Sequence, residues 1–567
     1  MVETAKTTSV APRWDVCSDT WVATDALGRV LPTHEDVGPP RPGRVVGIFY
    51  FLWLGAHGRQ IHDITRILAA NPDNPPWGPR HAFHFWGEPL FGYYLSNDEF
   101  VIRKHAQMLG DAGVDVLFLD VTNAFIYEDT CLALCRVLEQ VRQSGQPTPQ
   151  IAFLTHSRGA EVVQKLYDRF YAKGLHSELW FRWKGKPLIL AAEEGLSATA
   201  KEFFTLRESW AWSNPKGWFK DGKDKWPWLD HYPQQPGWHE SPDKPEQISV
   251  CVAQHPTTNI GRSFHDGKQP PPGQTAPEQG LCFAEQCRRA LEVDPELIFI
   301  TGWNEWTAMR FIKAEKGGAG AFLGKPLKPG DTHFIDQFNQ EFSRDIEPMR
   351  GGHGDNYYYQ MVSFIRRFKG VRPLPAVTPR SITVDGKFDD WRDAQPEYRD
   401  TLGDPACRDH PGWGSERYVN ATGRNDVVAA KVSFDGRNAY FYVRTREPLT
   451  PCADPAWMLL FIDSDHNPAT GWLGYDFLVR PQTRTLERHI GGGYRWGSPV
   501  QVEHRSAGNE MELAIPRSAL GITRSPALLD FKWADGIRET GDAADFTLHG
   551  DAAPNDRFNY RAKLTSR

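Results

Sequence analysis

One carboxylate stands out by its surroundings: Glu305 in Gly302-Trp303-Asn304-Glu305-Trp306, directly behind the apolar run Leu297–Thr301. An acid at the C-terminal end of a strand, flanked by an amide and two indoles, is placed to protonate a leaving oxygen or to activate water. Adjacent indoles strip water from a carboxyl and raise its pKa, as a general acid requires. Glycoside cleavage takes a second carboxylate, about 5–5.5 Å away for retention or roughly 6.5–9.5 Å for inversion. Asp120 in Phe118-Leu119-Asp120-Val121-Thr122-Asn123 ranks first as that partner, because it also ends an apolar run and precedes polar residues. Glu88 in His84-Phe85-Trp86-Gly87-Glu88, Glu208 in Arg207-Glu208-Ser209-Trp210 and Asp230 in Trp228-Leu229-Asp230-His231 are the alternatives. Glu305 is expected on the floor of the largest aromatic-lined pocket.

The residues around these acids suit sugar recognition. The chain holds 21 Trp, 17 Tyr and 32 Phe, and eight of the Trp fall between Trp180 and Trp238, in a context rich in Gly, Pro, Asp and Lys that reads as loop. Flat rings with a polar edge stack on sugar faces, which selects Trp53, Trp86, Trp210, Trp303 and Trp306. His84, Asn123, His156, His231 and Asn304 are hydrogen-bonding candidates. Arg158, in Thr155-His156-Ser157-Arg158, could clamp a uronate or sulfate or form a salt bridge. The histidines show no HExxH-type spacing, so no catalytic metal or other cofactor is expected.

Elements must bring these positions together. From residue 45, short apolar runs alternate with helical patterns, the mark of β/α units on a parallel sheet. Strands are predicted at Val45–Trp53, Val114–Leu119, Ile151–Leu154, Pro187–Ala191, Phe203–Leu206, Ile248–Ala253 and Leu297–Thr301, close to the eight of a (β/α)8 TIM-type barrel. Ser96 and Glu99 have capping-box spacing before a helical run that stops at Gly113. Helices are also predicted at Cys131–Gln143, Ala160–Tyr171 and Tyr357–Phe368. Long insertions at Asn71–Tyr94, Ser209–Gln247 and His255–Pro277 fit the face that carries the site.

Val371–Arg380 holds three prolines and separates two styles of sequence. Beyond it, period-2 segments such as Val427–Phe434, Asn438–Thr445, Trp457–Phe461 and Phe477–Val479 predict an all-β sandwich. The expected organisation is an N-terminal segment 1–44, a barrel 45–370, a Pro-rich linker 371–380 and a β-sandwich 381–567. At 567 residues the chain exceeds what one core usually serves.

The bulk composition sets limits. With 65 Lys+Arg against 71 Asp+Glu, the net charge of −6 offers no footprint for nucleic acid or an anionic membrane. No apolar run reaches the roughly 20 residues of a membrane span. Eight cysteines without paired CxxC spacing fit neither a zinc site nor a disulfide scaffold, although Cys407 and Cys452 share one domain and could bridge there. Met1–Pro12 is polar and lacks a secretory apolar core; a periplasmic or extracellular location, reached with a leader outside this sequence, is expected, and a cytoplasmic one is the alternative.

Ile48-Phe49-Tyr50-Phe51-Leu52-Trp53, Gly113-Val114-Asp115-Val116-Leu117-Phe118-Leu119-Asp120 and the Trp303-Asn304-Glu305-Trp306 strand end together resemble glycoside hydrolase family 71 and family 99-like barrels, over roughly residues 44–370. Family 99 enzymes are endo-acting on α-mannosides and carry a Tyr/Trp-Asn-Glu-Trp-His-Glu motif. Its first glutamate falls on Glu305 and its second on Ala308. The resemblance therefore implies the barrel and Glu305, with another carboxylate or another mechanism in place of the second acid. Ile382-Thr383-Val384-Asp385-Gly386-Lys387-Phe388-Asp389-Asp390-Trp391, Phe461-Ile462-Asp463-Ser464-Asp465 and Thr470-Gly471-Trp472-Leu473-Gly474-Tyr475-Asp476-Phe477 resemble a family 9-type carbohydrate-binding module. Asp463, Asp465 and Asn467 offer oxygens at alternate positions, a candidate structural Ca²⁺ site or a metal-free turn.

These observations predict a glycoside hydrolase acting on poly- or oligosaccharides. A polysaccharide lyase on the same barrel and a non-catalytic glycan-binding protein are the alternatives.

Overall fold

The computed structural model of the protein describes residues 15–523 and 527–565, so the polar Met1–Pro12 stretch lies outside them. Seven parallel strands organise the first body: β1 (Val45–Tyr50), β2 (Val116–Val121), β3 (Gln150–Thr155), β4 (Lys186–Leu190), β5 (Thr205–Arg207), β6 (Pro245–Cys251) and β7 (Leu297–Thr301). They pair in the order β5-β4-β3-β2-β1-β7-β6, so the sequence folds back across β1. The helices that follow the strands or close the body are α1 (Glu99–Ala112), α2 (Glu128–Gln143), α3 (Gly159–Leu166), α4 (Ala198–Phe203), α5 (Leu281–Val293) and α6 (Asn356–Lys369), with short helices also at His34–Val37 and Ile64–Ala70.

The strands are buried on both faces, which is why they read as continuous apolar runs. Side chains alternate between two cores. Phe49, Val116, Phe118, Ala152, Leu154, Leu188 and Phe299 fill the concave side, while Ile48, Leu117, Leu119, Ile151, Ile189 and Ile298 pack in the core that includes the helices. Gly47 has a specific reason: a Cβ there would meet Phe118 Cε2 at 2.2 Å. The ring of Phe118 occupies that space and stacks on Phe299, with centroids 4.3 Å apart.

The ladder contains seven parallel strands, one short of the eight of a (β/α)8 barrel, and among the described residues it does not pass from β5 to β6. Side chains span that seam. Glu246 on β6 accepts from Arg207 Nε at 2.6 Å, Trp183 Nε1 at 2.7 Å and Trp226 Nε1 at 2.8 Å. The segment carrying Trp226 and Trp228 runs parallel to residues 208–211 through isolated bridges, and Pro227 O accepts from Gln247 Nε2 at 2.8 Å.

Two local expectations change. Asp98, rather than Ser96, caps α1 by accepting from Phe100 N at 3.1 Å, because Ser96 Oγ is taken by Leu54 N at 3.0 Å. Cys407 and Cys452 are free and exposed.

The second body is a pair of sheets. One runs Ala376–Val377, Tyr560–Leu564, Ala527–Asp535, Leu459–Asp463, Phe477–Arg480, Thr485–His489 and Trp496–Gln501, with Asp551–Ala553 also on Ala527–Asp535. The other runs Glu397–Arg399, Val427–Phe434, Asn438–Thr445, Glu510–Pro516 and Glu503–Ala507. Apart from the parallel pair at Ala376–Val377, the pairing is antiparallel. Phe441, Leu460, Leu513, Phe531 and Trp533 fill the interior.

The two bodies share buried contacts. Trp413 packs edge-on to Phe85 at 5.1 Å and donates from Nε1 to Gln60 O at 3.0 Å. Arg408 Nε donates to Asp98 Oδ2 at 2.8 Å, with both side chains buried. The described part of the N-terminal segment is wedged at this joint: Trp21 meets Phe558 at 5.5 Å, and its carbonyl accepts from Arg366 on α6 at 2.8 Å. No described helix is long and apolar enough to cross a membrane.

Candidate functional site

The site lies where the parallel strands end. After β7 the chain passes a cis Thr301–Gly302 peptide, and Asn304 is tied to the end of β1, accepting from Phe51 N at 2.9 Å and donating to Phe51 O at 3.1 Å. Glu305 follows. Its backbone N–H donates to Asp345 Oδ1 at 2.6 Å, and its carboxylate accepts from Gln337 Nε2 at 2.7 Å and from Arg344 Nη2. The same Arg344 Nη2 lies 3.8 Å from Asp336 Oδ1, so a single nitrogen stands between two acids of unlike exposure. Glu305 is 7% exposed, whereas the Asp336 side chain is 48% exposed.

Electrostatics follow from this burial. Desolvation pushes the Glu305 carboxyl up to about 8, with Asp336, Asp345 and Asp120 adding to the rise and Arg344 opposing it. Asp345 is pushed up to about 6 by burial, against the pull of Arg262, the Glu305 N–H and the Trp86 indole. Asp120, buried at the end of β2, is also raised, chiefly by burial and against the Thr122 N–H it accepts at 2.9 Å. Three acids are thus biased toward their protonated forms, with the buried guanidinium of Arg344 on Glu305 and those of Arg262 and Arg344 acting on Asp345.

Partly exposed rings border this group. On one side His57 Nε2 bonds Tyr127 OH at 2.9 Å and stacks on Phe83 at 5.4 Å, with Trp53 beneath. On the other, Trp212 lies edge-on to His255 at 4.9 Å and near His231 at 5.9 Å, and His156 stacks on Trp210. Burial holds His57, His156 and His231 below the ordinary histidine range, and His255 well below it. These rings therefore offer neutral donors and acceptors at neutral pH.

The structure brings Asp120 into the electrostatic neighbourhood of Glu305 and keeps the other acid candidates elsewhere. Glu88 is held between Arg66 and Arg350, the latter at 3.2 Å. Glu208 pairs with Lys225. Asp230 accepts from Ser213 N, His231 N and Gln235 N at 2.9–3.0 Å and from the Ser213 hydroxyl, which makes it the organiser of its own loop. Ala308, at the position of the second family glutamate, is buried against Ile64, Phe334 and Phe338.

Among the recognition candidates, Trp53, Asn123, His156, Trp210 and His231 stay at the strand ends or on the rim. Trp86, Trp303 and Trp306 are fully buried. Trp86 donates to Asp345 Oδ2 at 3.0 Å and stacks on Trp306 at 4.6 Å; these indoles pack behind the acids and present no face to a ligand. His84 is fully buried, accepts from Gly78 N at 3.1 Å and is pushed down to about 4 by burial. Asn304 spends its amide on Phe51. Arg158 is exposed and pairs with Glu161 at 3.6 Å.

Arg344, Asp336, Gln337 and Asp345 were not foreseen. They belong to Ile335-Asp336-Gln337 and Ser343-Arg344-Asp345-Ile346-Glu347, which carry neither strand nor helical period. One signal was present: Asp345 and Glu347 alternate about Ile346, as side chains sharing one face do. Glu347 is fully buried and accepts from His105 Nε2 at 3.0 Å, Tyr94 OH at 2.8 Å and Trp306 Nε1 at 2.5 Å, which props the site from below.

Cavities lie elsewhere as well. One of about 680 Å³, lined by Pro40, Asp115, Thr148 and Lys369 among others, opens at the strands' N-terminal ends. In the sandwich, Asp463 and Asp465 come together with Asp476, their oxygens within 4.8 Å of one another. Asn467 instead closes the turn, its Oδ1 accepting from Ala469 N at 3.1 Å.

No protein-family model and no curated protein sequence matches the chain. Among solved structures it is similar to a GH99 endo-alpha-mannosidase from Bacteroides thetaiotaomicron at 17% identity, covering 58% of this chain and 98% of that one, with a TM-score of 0.33. It is also similar to a carbohydrate binding module family 9 from Caldicellulosiruptor kristjanssonii in complex with glucose, at 15% identity over 34% of this chain and 96% of that one, with a TM-score of 0.21. A further structure of that module, in complex with cellotriose, is similar at 13% identity over 34% of this chain and 93% of that one, with a TM-score of 0.20.

Proposed function

We propose that the protein is a glycoside hydrolase acting on poly- or oligosaccharides, with Glu305 as general acid and Asp336 or Asp120 as the second carboxylate. The observation that carries the reading is the Glu305 carboxyl itself, buried at a strand end with its pKa pushed up to about 8 beside Asp336, a half-exposed acid on the same arginine. A carboxylic acid that keeps its proton near neutrality can protonate a glycosidic oxygen. An exposed carboxylate nearby can attack the anomeric carbon or deprotonate water. Asp336 meets the requirement of access better than Asp120, which is 3% exposed.

The parallel order with its side-chain-bridged seam supports a (β/α)8-derived scaffold, and the rings at the strand ends support stacking on sugar faces. Arg344 is engaged by Glu305 and Asp336, and Arg158 by Glu161. Arg344, the guanidinium at the site, is thus held by the acids rather than left to neutralise a uronate, which favours hydrolysis over elimination.

The test is a reducing-end screen over polysaccharides and aryl glycosides, with Glu305→Gln and Asp336→Asn run beside the parent. The expected result is release of sugar by the parent and a loss of about 10²–10⁴-fold in the Glu305 variant. Equal turnover by parent and Glu305→Gln on the same substrate would remove Glu305 from the chemistry.

A further inference from the structure

A second concentration of acids lies far from Glu305, at the joint between the two bodies. Asp400 and Asp404 follow the strand Glu397–Arg399, and Asp551 opens Asp551–Ala553. One oxygen from each lies within 4.8 Å of the others, and all three residues are buried. Their surroundings mix the sandwich with α1. Gln107 Nε2 donates to Asp404 Oδ2 at 2.6 Å, Val427 N donates to Asp551 Oδ2 at 2.7 Å, and Asn555 Nδ2 bridges Thr401 Oγ1 at 2.9 Å and Asp111 Oδ2 at 3.0 Å.

Two independent features mark this cluster as incomplete. The first is unmet bonding. Asp400 is fully buried, yet neither of its carboxylate oxygens has a well-formed hydrogen bond among the described residues; one oxygen each of the buried Asp404 (Oδ1) and Asp556 (Oδ2) shares that condition. A buried carboxylate oxygen left without a partner forfeits its hydration with nothing in exchange. The second is charge. Asp111, Asp400, Asp404, Asp426, Asp551 and Asp556 interact electrostatically here; Lys104 and Lys532 face the cluster, and Arg446 lies 3.8 Å from Asp426 at its edge, so six acids meet three cations among the described residues. An uncompensated cluster of buried carboxylates must take up protons or a cation.

We propose that Asp400, Asp404 and Asp551 bind one divalent cation of the calcium class, locking the sandwich onto α1. The donors are all oxygens, with neither thiolate nor imidazole among them, which selects a hard ion over zinc or copper. A cage supplied by protein carboxylates fits Ca²⁺ better than Mg²⁺, which retains several waters. This site is separate from Asp463, Asp465 and Asp476 in the outer loop, and it does not depend on the proposed hydrolysis.

The full-length protein, desalted into metal-free buffer, should retain one calcium equivalent by elemental analysis that Asp400→Asn and Asp404→Asn lack and Asp465→Asn keeps. Adding 1 mM Ca²⁺ after EDTA should raise the melting temperature by roughly 5 °C or more, with Mg²⁺ giving a smaller rise. If the Asp400 and Asp404 variants do not fold, the parent's calcium content and its EDTA and Ca²⁺ melts, beside those of Asp465→Asn, still decide the matter. The proposal is overturned if calcium is lost on Asp465→Asn alone. It is equally overturned if the parent retains none and melts identically in EDTA and in Ca²⁺, the behaviour of acids that share protons.

Discussion

The backbone N–H of Glu305 donates to Asp345 Oδ1 at 2.6 Å, so an acid forty positions later both fixes the start of the Glu305 side chain and repels its charge. Asp345→Asn keeps an acceptor for that N–H while removing the negative charge. The Glu305 pKa should then fall, and the basic limb of kcat/KM should move to lower pH with little change in the pH-independent maximum. A pH profile from 5 to 10 reads this directly, and an unmoved limb would mean that the limb belongs to another group.

With Glu305 as the general acid of the proposed hydrolysis, that limb should lie near pH 8 in the parent protein, because a general acid is active only while protonated and burial pushes Glu305 up to about 8. Stability carries the same signature. A carboxyl whose folded pKa is raised contributes its full stabilisation below its unfolded pKa of about 4.3, and loses it as pH rises through the folded value. Between these limits the melting temperature should decline with pH, and Glu305→Gln should flatten part of that decline. Calorimetry on both proteins at pH 5, 7 and 9 checks the sign.

Legibility in the sequence followed the range of the interactions. β1, β2, β3 and β7 were visible because strands buried on both faces are apolar throughout, and Glu305 was visible because it directly follows such a run. The roles of the indoles were misassigned for a physical reason: Trp210 and Trp306 look alike in sequence, but exposure is decided by what packs on them, and Trp306 has Trp86 stacked on one face. Asp336 and Arg344 were not visible because their segment has no period, and only the return of the chain after the hairpin strand Thr307–Ile312 sets them against Glu305. The missing eighth strand has a similar origin, since the seam is closed by Arg207, Trp183 and Trp226 converging on Glu246 across long sequence separations.

Rim and packing indoles should separate under mutation. Trp212 is partly exposed at the rim and bonds Gln254 Oε1 at 2.7 Å; Trp212→Ala should raise KM about 3–10-fold if it stacks on substrate, with kcat and melting temperature nearly constant. Trp303 is fully buried, and Trp303→Ala should cost about 3–5 kcal/mol of stability. Chemical denaturation beside steady-state kinetics discriminates the two; a rim variant that loses stability without a change in KM would assign Trp212 to packing.

The sandwich should act as a structural partner of the sheet-and-helix body. Arg408 Nη2 lies 2.7 Å from Asp98 Oδ2, and the side chains are 7% and 1% exposed, so the pair is out of reach of solvent screening. Asp98 also caps α1, which carries Lys104 and Gln107 into the joint. Arg408→Met would leave the Asp98 carboxylate buried without its guanidinium, at a cost of about 3–5 kcal/mol. A chain ending near residue 375 would lose this pair together with Trp413, whose ring covers Phe85 and whose backbone N–H donates to Tyr93 O at 2.7 Å. Exposing those apolar surfaces costs about 25 cal/mol per Å². Scanning calorimetry should therefore show the truncated chain melting well below the full-length protein, with Arg408→Met between them. A truncated chain that melted at the full-length temperature with unchanged turnover would show that the sandwich is an independent accessory and that the contacts at Trp413 and Arg408 add nothing to stability.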